Sequence, residues 1–324
     1  VSALGSESDT ARVPGASEHA TALKTLDDAR ALKNTILGAF ERRCRIREDE
    51  SIPRFVVVGG GPTGVEIAAE IADLIKHTMA RYYPTCLTER AEVVLVHSGN
   101  ELVPRFPRAV QTKSAQVLAK KRVTVVLNER VAEVLPESVV FESARALEAE
   151  AVIWMAGVRP VELAVDRPLT KRCGKIVTDE FLASVDDDRL FVLGDQGLQV
   201  DSKSGTVVPD LAQAAVAEAS YVARCIHTRI SGGTCKPFKF ALKGMLLSLG
   251  KFRAAGEVGG VILSGRFAWF LWRTVYLTKL ISFSKKIHVG VDWALNLFLP
   301  RDISQFAESH TSRTDHLASS ESDE

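Results

Sequence analysis

The chain has 324 residues, 46% hydrophobic and 25% charged, which suits a folded globular protein of roughly two domains. A net charge of +1 argues against a nucleic-acid partner, because no strong positive field is present. The five cysteines (Cys44, Cys86, Cys173, Cys225, Cys235) contain no C-x-x-C pair, so they read as ordinary thiols and not as a dithiol centre, zinc ribbon or disulfide scaffold; no metal site is expected.

Residues 1–20 are polar, punctuated by Gly and Pro, and loop-like. Helical spacing runs through 22–50 (Leu26, Ala29, Leu32, Ile36, Leu37, Phe40) and ends in a charged cluster. Phe55 to Val58 reads as a buried strand, and a helix is expected from about 63 to 80 on the spacing of Val65, Ala68, Ala69, Ala72 and Ile75. A connection with Tyr82, Tyr83 and Pro84 leads to a second strand at Val93–His97, a helix at Val110–Lys120 and a third strand at Val123–Leu127. Short antiparallel strands are expected over 130–150, then a strand from Ala151 to Met155 that stops at Ala156-Gly157. This is a nucleotide-binding half built of alternating β and α pieces with a β-ribbon insertion.

Further on, Leu190–Leu193 reads as a strand running into Gly194-Asp195, and 211–229 as a helix. Residues 236–256 are mixed, and 307–324 have almost nothing to bury and should be disordered. No run of about 18 uncharged apolar residues occurs, so no membrane span is expected. No signal or transit peptide is visible, and a start at Val1 reads as a fragment or a processed product.

The most informative segment is Gly59-Gly60-Gly61-Pro62-Thr63-Gly64, with G-x-G-x-x-G spacing between a strand and a helix. Gly59 permits the tight turn, Gly61 lets the backbone approach a pyrophosphate, and Gly64 lets helix and strand pack closely. The N–H groups at the helix start receive the phosphate charge. Glu66 in the first turn is either a dipole-compatible acid or a proton-handling group beside a redox ring, and spacing leaves the two even. Asp195, after a buried strand and Gly194, is either a helix-cap or turn residue or an acceptor for a sugar-alcohol or ribose hydroxyl. The second strand ends at His97, where dinucleotide folds usually carry an acid for the ribose 2′-hydroxyl. Either Glu101 or the backbone substitutes, or selectivity is relaxed toward a 2′-phosphate; NADH is the slightly favoured reading.

In the tail, Trp269, Trp272, Tyr276, Leu280 and Phe283 form one helical stripe, flanked by Arg273 and Lys279 and followed by Lys285 and Lys286. Such a helix lies in a membrane interface, or packs on the protein core or at a homodimer interface.

With these pieces in order, the chain resembles the type II (alternative, rotenone-insensitive) NADH:ubiquinone oxidoreductases over about residues 3 to 306. The resemblance rests on Ala3-Leu4-Gly5-Ser6, Pro14-Gly15, Gly59 to Glu66, Trp154-Met-Ala-Gly-Val-Arg-Pro160, Leu193-Gly-Asp195 and Ala212-Gln213. It continues in Lys243-Gly244, Trp272-Arg273…Tyr276-Leu277, Asp292-Trp293 and Arg301-Asp-Ile-Ser304; the last elements and Tyr83-Pro84 look like the eukaryotic mitochondrial branch.

The resemblance implies an α/β fold with two Rossmann-like dinucleotide-binding domains of the glutathione-reductase-like flavoprotein type, plus C-terminal amphipathic membrane-binding helices. The expected division is 1–51 and 158–230 for FAD, 52–157 for NADH and 231–306 for membrane anchoring. It implies electron transfer from NADH through FAD to ubiquinone without proton pumping, on the mitochondrial inner membrane as a peripheral, monotopic protein. Glu66 would then manage charge or protons, Gln213 would orient quinone or the flavin, and Asp195, Gly194 and Ala212 would hold FAD. His97, Ala156 and Gly157 would line the NADH site, and Trp269, Trp272, Tyr276, Phe283, Lys285 and Lys286 would meet lipid. The departures are Ala217 for a glutamine, Leu211 for a threonine, His97 for the acid, and no first G-x-G-x-x-G for FAD, so the chain is expected to begin midway through the FAD domain, to hold FAD poorly or not at all, and to be inactive as this fragment alone. Two competitors stay open: a related flavoprotein with another acceptor (apoptosis-inducing-factor-like or sulfide:quinone-like), and a non-catalytic NAD-binding module.

Overall fold

The computed structural model describes residues 1–45, 51–166, 168–201, 205–280 and 282–298. From the start of the chain, β1 (Ser6–Ser8) and the single turn α1 (Ala16–His19) lead to β2 (Ala20–Ala22) and the long helix α2 (Leu26–Arg45). Next come β3 (Arg54–Val58), α3 (Pro62–Asp73), α4 (Thr85–Arg90), β4 (Glu92–Val96), α5 (Arg108–Lys120) and β5 (Val123–Val126). The ribbon β6 (Val131–Leu135), β7 (Ser138–Phe141) and β8 (Ala146–Glu148) precedes β9 (Ala151–Trp154). A five-stranded sheet of order β2-β9-β3-β4-β5 results, with every pairing parallel.

Continuous apolar runs are what a strand covered on both faces requires. Alternation then divides each strand between two cores. Phe55, Val57, Val93, Leu95 and Ile153 face a core shared with α2, α3 and α5. Val56, Val58, Val94, Val96, Val152 and Trp154 face the antiparallel ribbon through Val131, Val134, Val139 and Phe141.

Residues 1–20 are not all loop. β1 pairs antiparallel with β10 (Val158–Pro160), and β2 forms the edge of the parallel sheet beside β9. Each is only three residues long, and its register comes from partners far along the chain, Pro160 opposite Ser6 and Val152 opposite Ala20. The segment before residue 51 also contributes to the core of the parallel sheet. α2 buries Leu32, Ile36, Leu37 and Phe40 in the same core as Phe55 and Val57, and the Phe40 ring stacks on Phe55 at 6.3 Å. Residues 20–45 therefore pack with the parallel sheet. The helix expected over 63–80 keeps its regular form to Asp73 and then passes through a wider turn (Leu74–Thr78) and a tight one (Met79–Arg81) before Pro84 ends it.

After β10, a smaller unit contains β11 (Lys171–Arg172), β12 (Lys175–Val177), β13 (Ala183–Ser184), β14 (Asp187–Phe191), β15 (Gly197–Leu198) and α6 (Ala212–Ile230). Its core is Leu182, Phe191, Leu193, Val208, Ala214, Val222 and Phe238. Here one expectation fails: Cys225 in α6 is joined to Cys235 in a disulfide. The chain turns back after α6 and brings the two α-carbons within 5.5 Å, which no cysteine spacing motif announces.

The C-terminal part is a meander of β16 (Gly244–Ser248), β17 (Ala254–Val258) and β18 (Val261–Ser264), followed by α7 (Gly265–Lys279) and α8 (Phe283–Phe298). Leu247, Leu249 and Ala255 join the helix-side core of the parallel sheet. The stripe expected from Trp269 to Phe283 is broken, because α7 ends at Lys279 and α8 starts at Phe283. Trp269 is only 5% exposed and packs against Phe252, Ala254 and Ala268, so it cannot meet lipid. Among the described residues no helix is long and apolar enough to cross a membrane. The segments 301–304 and 307–324 lie outside the described residues.

Asp73, at the end of α3, ties the meander to the sheet. Its carboxylate is 6% exposed, pairs with Lys121 just past α5, and accepts the Lys251 N–H at 2.7 Å. Asp73→Ala is expected to lower the unfolding free energy by roughly 3–5 kcal/mol, because it leaves the Lys121 ammonium buried without its counter-charge. Arg30→Ala, at the exposed Arg30–Asp27 pair, should change it by under ~0.5 kcal/mol. Urea denaturation of the two variants checks the contrast.

Candidate nucleotide and electron-transfer site

The glycine turn lies at the carboxyl ends of β3, β4 and β9, where the chain leaves β3 toward β4 on one side while β9, reached only after the ribbon, borders β3 on the other. That is the crevice in which open α/β sheets bind ligands. Gly59 has φ +120°, and a methyl group there would sit 2.5 Å from the Met155 carbonyl oxygen. One on Gly64 would sit 1.8 Å from the Gly59 carbonyl oxygen, so α3 can approach β3 this closely only with glycine at that position. A methyl group on Gly61 would meet nothing within 4 Å. Gly61 opens on a cleft of about 670 Å³ lined by Gly59, Gly60, Gly61, His97, Trp154, Ala156 and Gly157, among others. Pro62 and Thr63 are exposed in the first turn of α3, whose N–H groups face an incoming anion.

His97 follows the last residue of β4 and braces the turn: the Gly60 N–H donates to its Nδ1 at 3.2 Å. Burial pushes the ring below the usual histidine range, toward the neutral form this bond requires. On the far side of the turn, Glu66 points away from the cleft toward the meander and accepts the Ser248 N–H at 2.8 Å. Burial pushes its carboxyl up to about 7, against the lowering effect of the Ser248 bond and with a small further rise from Glu70. The Tyr276 phenol is raised by burial and by the Glu66 charge. Its ring packs on Trp272 at 4.7 Å, and the Trp272 indole N–H is shut off from solvent without an acceptor among the described residues.

A second group forms at the start of α6. Asp195 accepts the Ser6 hydroxyl at 2.6 Å on one carboxylate oxygen. β1, which carries Ser6, pairs with the strand just after Gly157, so the two groups are linked through that short ladder. Gln213 is engaged at both ends of its amide: Nε2 donates to the Gly244 carbonyl at 3.0 Å, and Oε1 accepts the Lys243 N–H at 3.3 Å. It fastens α6 to the meander, while Ala212 beside it is exposed. Neither Ala212 nor Gln213 lines the cleft.

Sequence reasoning passed over Glu218. It is 1% exposed, its Oε2 accepts the Gly194 N–H at 2.6 Å, and burial raises its carboxyl. An acid on the inward stripe Ala214-Glu218-Val222 was the available signal.

Residues 1–219 match the family described as pyridine nucleotide-disulphide oxidoreductase. The chain belongs to that family. Residues 242–302 match the NDH2 C-terminal domain. The chain is 30% identical to the type II NADH:quinone oxidoreductase of Mycobacterium tuberculosis over 88% of this chain and 63% of that one. It is 28% identical to a mitochondrial internal alternative NAD(P)H-ubiquinone oxidoreductase of Solanum tuberosum, over 94% of this chain and 65% of that one. The chain thus spans somewhat under two thirds of these relatives. In fold it is similar to NDH2 of Plasmodium falciparum in complex with NADH, with TM-score 0.83, 19% identity, and coverage of 93% of this chain and 78% of that one.

The glycines can be separated experimentally. Gly61→Ala is expected to shift the folding free energy by under ~0.5 kcal/mol yet to weaken ADP-ribose binding about tenfold or more, because the methyl fills the space a pyrophosphate needs. Gly64→Ala is expected to cost roughly 1–3 kcal/mol of stability through overpacking. Thermal melts with calorimetric titration distinguish the two.

Proposed function

We propose that this protein passes electrons from NADH to ubiquinone, with FAD as its carrier, at a membrane surface. The observation that carries the proposal is the glycine turn itself. One side opens on a dinucleotide-sized cleft, and two residues after Gly64 the Glu66 side chain leaves the opposite side toward the C-terminal meander. The residues present fit the NADH diphosphate and one flavin hydroxyl, while a glycine fingerprint for the FAD diphosphate is not among them. The Gly61 space and the N-terminus of α3 suit a pyrophosphate, and Asp195 keeps one carboxylate oxygen with no partner among the described residues for a flavin hydroxyl. FAD, when bound, supplies the hydride acceptor and the two-electron donor of the reaction.

The chain's own residues position and protonate. Gly59, Gly60, Gly61 and Gly64 with the first turn of α3 hold the NADH diphosphate, and Ala156-Gly157 gives the nicotinamide end a wall with no side chain larger than a methyl group. Glu218 and Ser6 fix the Gly194-Asp195 turn. Glu66, poised near neutrality, is the proton donor for reduced quinone, and the unpaired Trp272 N–H offers a hydrogen bond to an acceptor such as a quinone carbonyl. Gln213 acts by positioning the start of α6.

The localisation that suits this reading is peripheral, on the mitochondrial inner membrane. The lipid contact is reassigned from Trp269 to the exposed row Phe283, Ile287, Val291 and Leu295 of α8, with Phe267 and Phe270 of α7 and the flanking Lys285 and Lys286.

Steady-state oxidation of NADH by short-chain ubiquinone in FAD-supplemented protein tests the activity; no quinone-dependent oxidation would reject it. Within that assay, Glu66→Gln is expected to slow reoxidation of the reduced protein by quinone about tenfold or more while sparing reduction by NADH. A carboxyl raised to about 7 gives up its proton above that pH, so the parent's quinone rate should fall on the alkaline side, and Glu66→Gln should lose that inflection. Ile287→Ser with Val291→Ser should weaken liposome binding at least about tenfold, since each buried aliphatic side chain contributes roughly 1.5–3 kcal/mol. Trp269→Ser should instead lower the melting temperature. Co-sedimentation and thermal melts read out both.

A further inference from the structure

We infer that the adenosine end of the cleft takes a ribose bearing a 2′-phosphate, so that NADPH serves as well as NADH. This rests on the proposed reading of the cleft as a reduced pyridine-dinucleotide site.

A dinucleotide fold that selects NAD places a carboxylate at the end of its second strand, where it accepts from the 2′-hydroxyl and repels a phosphate. Here that position is His97; the acids that line the cleft are Asp9, paired with Arg12, Glu142, beside Arg130, and Glu129. Glu101 binds Arg108 at 2.6 Å through one oxygen and Gln111 at 3.2 Å through the other, which directs it to α5. Glu129 is on the cleft wall, but both of its oxygens receive the Ser143 hydroxyl, at 3.1 and 3.2 Å.

His97 offers the opposite chemistry. Its Nδ1 accepts the Gly60 N–H, so a neutral ring carries its proton on Nε2. A single N–H donor serves a ribose hydroxyl and a phosphate oxygen alike. Arg130 is on the same wall, held beside the His97 loop by bonds from the Glu129 N–H to the His97 carbonyl at 3.2 Å and from the Asn128 N–H to the Gly99 carbonyl at 3.0 Å. Its contact with Glu142 is 3.5 Å long between side chains 65% and 63% exposed. Such a pair contributes little and yields readily to a phosphate, which a guanidinium binds through two parallel bonds.

Titration of the full chain with ADP-ribose and with ADP-ribose 2′-phosphate tests this without flavin or quinone. Dissociation constants within about tenfold of each other, a difference of at most ~1.4 kcal/mol, are expected. A larger preference for the unphosphorylated ligand overturns the inference and leaves the proposed activity standing. Binding of neither ligand removes both. His97→Asp should weaken the phosphorylated ligand about tenfold or more through like-charge repulsion while changing the other about threefold or less, and Arg130→Ala should act in the same direction. A ligand ratio unmoved by His97→Asp, in protein that melts like the parent, overturns the role given to His97.

Discussion

The hydrogen bond from the Ser248 N–H to Glu66 crosses 182 residues of sequence and fixes the start of α3 against the C-terminal meander. One turn after the glycines, a backbone element from the far end of the chain thus borders the same helix that borders the cleft. Twelve residues span α3, and each end is held by a carboxylate of different character. At the far end Asp73 has Lys121 beside it and the Lys251 N–H above it. Near the start Glu66 is buried with only one N–H to favour its charge and with Glu70 to oppose it. A buried acid with a cation serves as a clamp. A buried acid without one resists ionisation and stays available as a proton donor. The helix is fastened where no chemistry is proposed and left chargeable where proton transfer is.

What the sequence revealed and what it hid follow from the range of the interactions. The apolar run Phe55 to Val58 and the glycine spacing from Gly59 to Gly64 are local, and both the parallel strand and the turn lie where those residues dictate. β1 and β2 have three residues each and no periodicity of their own, so only their partners make them strands. The same holds for side-chain roles. Gln213 is on the expected helix, but its amide is occupied by backbone at 243–244, which helical spacing cannot foretell. The Cys225–Cys235 bridge depends on where the chain returns after α6. Glu218 was legible in principle, as an acid among apolar positions, because a buried carboxylate needs a donor and the nearest is the amide of Gly194.

The tryptophans of the tail show why an amphipathic stripe does not name its own partner. Periodicity locates a face; tertiary packing decides what covers it. The Arg273 guanidinium lies over Trp269 at 4.3 Å and over Trp293 at 4.4 Å, so one cation is sandwiched between rings of α7 and α8. Phe252 closes the other side of Trp269 at 4.9 Å. Cation–π contacts strengthen as water is excluded, so these rings hold the two helices to each other and to the meander. Once the indoles are committed inward, the apolar groups left outward are the phenylalanines and aliphatic residues of α7 and α8. A membrane contact made by that row would sit on a platform whose own packing already reaches, through β16 and Ser248, to Glu66. Lipid, quinone and nucleotide would then meet one connected set of elements, in which α3 separates the dinucleotide cleft from the meander.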